Sequence, residues 1–152
     1  MKIRLASASD EMALLEMGKT MHAESRFAHF PLQEDKLRQV VAVSLQDPKG
    51  HCILVAESAT SGLVGMLGGY VLPLFFTDAL IAQDKFFYVL PEHRGSSAAV
   101  KLLMAFERWA KNRQVAEIDI NMSVDIDSAR FDRFMRHAGY QPCGQNHFKR
   151  TR

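Results

Sequence analysis

The chain has 152 residues, 47% of them hydrophobic, enough for one sizeable core, and a single domain spanning 1–152 is expected. Its formal charge is only +2, from 19 Lys plus Arg against 17 Asp plus Glu, which excludes a field strong enough to gather nucleic acid or a membrane surface. Cys52 and Cys143 lie outside any CxxC pattern, the opening "MKIRLASASD" lacks a signal-peptide core, and no run approaches ~18 apolar residues, so a cytoplasmic protein with reduced thiols is expected.

In chain order, "KIRLA" (2–6) reads as a first strand, and "SASD" (7–10) supplies side chains that cap the following helix. That helix runs to about His22, with Leu14, Met17 and Met21 at helical spacing. A second starts near Gln33 and places Leu37, Val40, Val41 and Leu45 on one face before "DPKG" ends it. "HCILVAES" and "LVGMLGGYVL", parted by "ATSG", predict an antiparallel hairpin in which Gly68 and Gly69 mark a bulge or a close backbone approach. After the loop "PLFFTDAL", residues from about Ile81 to Leu90 form another strand.

From Ala98 the period changes. Ala99, Leu102, Leu103, Phe106, Trp109 and Ala110 share one helical face. "VAEIDINM" (115–122) follows as a strand, and "DSARFDRFMRHAG" as a last helix. Asp127 or Ser128 caps it, Phe131, Phe134, Met135 and Ala138 point inward, and Gly139 is its left-handed stop. "YQPCGQNHFKR" closes the sheet with one or two strands. The expected fold is α/β (α+β), a mixed and mostly antiparallel sheet of six to seven strands flanked by about four helices, with a βαβ-like back half.

The stretch "YVLPEHRGSSAAVKLL" (88–103) leads from a strand through a turn into that amphipathic helix. The first N–H groups of a helix lack partners and, with the helix dipole, favour an anion. Small residues keep such an approach open: Gly95 relieves the turn, Ser96, Ser97, Ala98 and Ala99 stay low, and Arg94 adds a planar cation. The same stretch is equally a capped helix start with no ligand. It is neither a Walker loop nor a GxGxxG turn.

In the whole chain, this stretch resembles the GNAT superfamily of acetyl-CoA-dependent N-acetyltransferases, whose strand ending V-x-P is followed by [QR]-x-x-G-x-[GA] and a long helix. Val89 and Pro91 match the strand end, Arg94 the first motif position and Ala99 the last, while Ser97 stands at the central glycine. A serine is compatible there because a helix start needs negative φ. The element order matches over essentially the entire chain, and "RHAGYQPCG" is similar to the family's usual ending. "MHAES" (21–25) and "FFTDALIAQDKFFYVLPEHRG" (75–95) resemble a phage-associated subset.

The resemblance implies the GNAT fold, with acetyl-CoA as donor and a small-molecule or peptide amine as acceptor. It implies backbone contacts from Tyr88, Val89 and Leu90 to the cofactor, phosphate binding by Arg94 to Ala99, and a donor from Ser128. The family's tyrosine acid aligns with Met135, which cannot donate a proton. Asp84 is the candidate base, with His22 and Glu24 as further proton acceptors in the acceptor pocket. The histidines show no metal spacing, so no metal is expected. Phe27, Phe30, Phe75 and Phe76 either line an apolar pocket or pack against a second subunit, as in a homodimer. Two rivals to the enzyme reading stand: a noncatalytic module that binds coenzyme A, and an interaction protein that keeps the fold without the cofactor.

Overall fold

The computed structural model, which describes residues 1–121 and 125–152, forms one sheet whose five strands lie side by side in chain order. These are β1 (Lys2–Leu5), β2 (His51–Ser58), β3 (Gly62–Pro73), β4 (Leu80–Val89) and β5 (Glu117–Asp119). The first four pair antiparallel, and β5 runs parallel to β4. The helices are α1 (Glu11–Glu24), α2 (Glu34–Gln46), α3 (Ala98–Lys111) and α4 (Ser128–His137).

Both faces of the sheet are covered, which explains why β2 reads as a continuous apolar run. Cys52, Leu54 and Ala56 pack with Leu102, Phe106 and Trp109 of α3 on one face. Ile53 and Val55 pack with Leu14 and Met17 of α1 and Val41 of α2 on the other. The predicted inner face of α3 is buried through Leu102, Leu103, Phe106, Trp109 and Ala110.

The sheet has five strands where six to seven are expected from the sequence, because residues 140–152 form none. Pro142 lacks an N–H to pair, and Gly144 at φ 69° turns the chain out of the extended region. The strand expected over 115–122 pairs only as Glu117–Asp119, and position 122 lies outside the described residues. Ala138, expected inward, is exposed as the C-cap of α4, while Phe131, Phe134 and Met135 do turn inward. Leu45 is 37% exposed, since Val41 and Ser44 take the inner face of α2. Gly139 ends α4 at φ 92°, and Asp127 caps its start, its carboxylate accepting the N–H of Arg130 at 3.3 Å.

The glycine pair in β3 does what its position suggests. Gly68 pairs with Phe86 and Gly69 with Asp84, so Lys85 of β4 is an extra residue in the ladder. A Cβ on Gly69 would stand 2.4 Å from the ring of Phe106 and 2.7 Å from the carbonyl oxygen of Gln83. Phe106 is fully buried and cannot retreat into solvent. Gly69→Ala is therefore expected to lose about 1–3 kcal/mol by overpacking. Urea denaturation checks this, and an unchanged midpoint would mean that the sheet and α3 have room to move apart.

Candidate active site

The β4–β5 ladder runs from Ile81↔Glu117 only to Gln83↔Asp119, immediately before the bulged Lys85. At that vertex Asp84 Oδ1 accepts the N–H of Asn121 at 2.8 Å, continuing the join through a side chain. Beyond it the edge of β4 that faces away from β3 is unpaired among the described residues. Leu90 spends its N–H on Val64 of the β3 side at 2.9 Å, so by strand alternation the N–H of Val89 faces the opening.

The opening widens into a cleft of about 250 Å³ between β4, the start of α3 and the start of α4. Phe87, Val89, Phe131 and Phe134 form an apolar wall, and His93, Arg94, Gly95, Ser96, Ala99 and Arg130 line the far end. The turn into α3 is held locally. Ser96 Oγ accepts the N–H of Ala98 at 3.2 Å, and the N–H of Ser96 donates to the carbonyl of His93. Among the described residues no acceptor meets the N–H groups of Ser97, Ala99 and Val100. These orphan donors at a helix start are a ready anion site. Gly95 takes the left-handed conformation at φ 91°, so Ser97 keeps φ −74° and its side chain costs no strain.

Arg94 points from this turn toward the opposite face of the sheet. Its Nη1 and Nη2 donate to the two oxygens of Glu24 at 3.1 and 2.6 Å, and its Nε donates to the carbonyl of Val89 at 3.0 Å. The hydroxyl of Tyr88 donates to the same Glu24 carboxylate. The Arg94 guanidinium holds that carboxyl below the usual range. Burial, followed by the Glu24 carboxylate, pushes the Tyr88 phenol up. Asp84 goes the other way: burial outweighs the bonds from Asn121 and raises it to about 6.

Of the residues singled out in the sequence, Val89, Arg94, Gly95, Ser96 and Ala99 line the cleft together. Tyr88 faces α1 and α2, and Leu90 packs there too. Ser97 is exposed beside the cleft, while Ala98 is wholly buried with its N–H already bonded. Ser128 instead lines a neighbouring space of about 720 Å³ with Met135 and Asn121. His22 lines a third cavity, of about 490 Å³, under the loop after α1. Arg130 escaped the sequence reading. Its signal was a cation in the first turn of a helix, where the dipole disfavours it.

Two parallel strands that part, with a helix start presenting free N–H groups at the mouth of the cleft, form a site suited to a ligand with an anionic end. The acetyltransferase (GNAT) family model matches residues 17–140, and the chain belongs to that family, the acetyl-CoA-dependent acetyltransferases. No curated protein sequence matches the chain. Among solved structures, it is similar to the ribosomal-protein-alanine N-acetyltransferase from Brucella melitensis biovar Abortus 2308, with TM-score 0.73 and 19% identity over 99% of each chain. Glucosamine-6-phosphate N-acetyltransferase from Arabidopsis thaliana gives TM-score 0.77 and 15% identity over 99% of this chain and 98% of that one. AAC(6')-Iy in complex with bisubstrate analog CoA-S-monomethyl-acetylneamine gives 0.74 and 16% over 99% and 97%. At these identities the likeness speaks for the fold.

The residues present fit acetyl-CoA. Three unpartnered N–H groups suit a pyrophosphate, and the apolar wall suits a pantetheine arm. Among the described residues no helix is long and apolar enough to cross a membrane.

The raised Asp84 makes a prediction with a definite sign. Folded Asp84 holds its proton to about 6, against an ordinary value of 3.8, so the folded state binds more protons between those values. Stability from this group is full below pH 4 and is lost as pH rises from there through 6, by about 3 kcal/mol. Asp84→Asn keeps an acceptor for Asn121 but does not titrate. Its stability is expected to decline less than wild type from pH 4 to 6.5, measured by urea midpoints. Parallel profiles would place Asp84 in a solvated setting.

Proposed function

We propose that the chain moves an acetyl group from acetyl-CoA to a primary amine of a small molecule or peptide. The observation that carries this reading is the cleft itself, which runs from the apolar wall along β4 to the free N–H groups at the start of α3; Asp84 lies outside its lining, further back on β4 where the pairing with β5 ends. The cofactor supplies an activated thioester; the rest of the chemistry falls to the chain's own groups. The N–H of Val89, on the open edge of β4, is placed to donate to a carbonyl lying along that strand. Asp84 takes the amine proton, directly or through a water.

Neither of the other proton acceptors considered in the sequence serves as well. Glu24 is committed to Arg94 and Tyr88. His22 lies with Met21, Phe27, Phe30, Pro31 and Leu37 around the cavity beneath the loop after α1. No carboxylate lines that cavity, so it suits an acceptor with an apolar body better than a polycation. On α4, buried Met135 offers no proton to the departing thiolate, which leaves as the anion or takes a proton from water.

Binding to the native state alone raises the melting temperature, and at a hundredfold excess over Kd the gain is about 2.7 kcal/mol. Acetyl-CoA should thus shift the melting curve upward by several degrees. A panel of primary amines should release free thiol, with the product gaining the mass of one acetyl group. Asp84→Asn should lower turnover roughly 10²- to 10⁴-fold with acetyl-CoA affinity unchanged. No thiol release with any amine would overturn the catalytic reading, and full activity of Asp84→Asn would remove its base. At the turn, Ser97→Gly should keep acetyl-CoA affinity, whereas Ser97→Glu should weaken it by repelling the phosphates, read by calorimetry. Equal affinity of Ser97→Glu and wild type would place the phosphates elsewhere.

A further inference from the structure

We infer that Arg130, not the motif's Arg94, is the cation that meets the cofactor's pyrophosphate, and that Arg94 is a brace joining the phosphate turn to α1. The inference rests on the reading of the cleft as an acetyl-CoA site.

Arg94 has already placed its donors. Two guanidinium nitrogens engage both oxygens of Glu24, and Nε engages the carbonyl of Val89. The pair is partly sheltered, with side chains 27% and 29% exposed, and Glu24 also accepts from Tyr88. To reach a phosphate, Arg94 would have to leave a half-buried carboxylate without its counter-charge, a substantial penalty. Its charge is in any case matched locally, so it adds little net attraction for an anion.

Arg130 is in the opposite situation. Its Nη2 lies 3.7 Å from where a Cβ on Gly95 would be, so the guanidinium stands directly over the turn that presents the free N–H groups. It lines the same cleft and has no carboxylate partner among the described residues. It occupies the third position of α4, where a positive charge opposes the helix dipole. Asp127 lines the cleft too, but its Oδ1 accepts Arg130's own backbone N–H, which caps the helix. A bidentate guanidinium above a ring of backbone donors is a matched partner for a pyrophosphate. Gly95 is required at this place for its positive φ.

The test is calorimetry of wild type, Arg130→Gln and Arg94→Gln with coenzyme A and with pantetheine, which lacks the pyrophosphate and nucleotide. Melting curves of the free proteins accompany it. Arg130→Gln is expected to weaken coenzyme A about 10- to 100-fold, as for loss of charge-assisted bonds, with pantetheine binding and the free protein's melting temperature unchanged. Arg94→Gln is expected to lower the melting temperature of the free protein and to weaken both ligands in similar proportion. Wild-type affinity for coenzyme A in Arg130→Gln would overturn the inference, as would equal losses of the two ligands in that variant. A selective loss of coenzyme A in Arg94→Gln, with melting unchanged, would return the phosphate role to Arg94. Failure of wild type to bind either ligand would instead overturn the reading of the site itself.

Discussion

Lys85 is one residue more than the β3–β4 ladder can pair, and the site follows from how the sheet absorbs it. The bulge increases local twist and turns β4 away just past its last pairing with β5. Two parallel strands that separate leave an unpaired backbone edge in the interior, which normally carries a penalty for each unsatisfied polar group. Here that edge faces a cleft. Gly68 and Gly69 make the bulge tolerable by letting the rings of Phe86 and Phe106 occupy the space a side chain would need. The bulge, the glycines and the packing of α3 are thus one device: close contact on the α3 face is what holds the strand in its bent course.

The turn into α3 solves a second conflict, between rigidity and free donors. A helix start that caps all its own N–H groups cannot bind an anion, and one that caps none frays. Ser96 satisfies Ala98 alone. The remaining donors stay open, while the 3-10 turn at Pro91–His93 and the Arg94–Glu24 pair hold the loop from behind. An ion pair of this exposure contributes modestly to stability, on the order of 1 kcal/mol. Its larger consequence is geometric. It ties the phosphate turn to the end of α1, and the cavity that His22 lines begins under the loop that follows.

Proton handling is divided unevenly across the site. Asp84 is half-buried and meets only amide donors among the described residues, so its affinity for a proton is raised by desolvation without its being lost to a counter-ion. Glu24, intrinsically the weaker acid, is pulled the other way by Arg94. The two carboxylates therefore differ in basicity because one meets a guanidinium, while burial of the other outweighs the amide bonds it accepts. On the leaving-group side Met135 contributes packing only, so the chemistry depends on the acidity of the thiol rather than on a side-chain donor.

What the sequence determined by itself was everything encoded in local period and stereochemistry. The apolar runs on either side of "ATSG" predict the β2–β3 hairpin, and the 3.6-residue spacing from Ala99 to Ala110 predicts α3 and its inner face. Gly68 with Gly69, Gly95 and Gly139 each mark a place where only glycine suits the backbone, and Asp127 marks a cap. The spacing from Val89 to Ala99 carries the turn and, through family resemblance, its ligand. The tertiary structure alone decided which side chains meet. Glu24 and Arg94 are 70 residues apart, and nothing near either announces the other. Arg130 reaches Gly95 only because the start of α4 faces the turn into α3 across the cleft, and Ser128, two residues earlier on that helix, faces a different space. The terminal strands failed to form because a strand needs a partner edge as well as suitable residues, and Pro142 and Gly144 interrupt the segment that would have supplied it. Backbone period is a property of a few neighbouring residues, whereas a side chain's partner is set by the approach of whole elements, and the reacting groups here belong to the second kind.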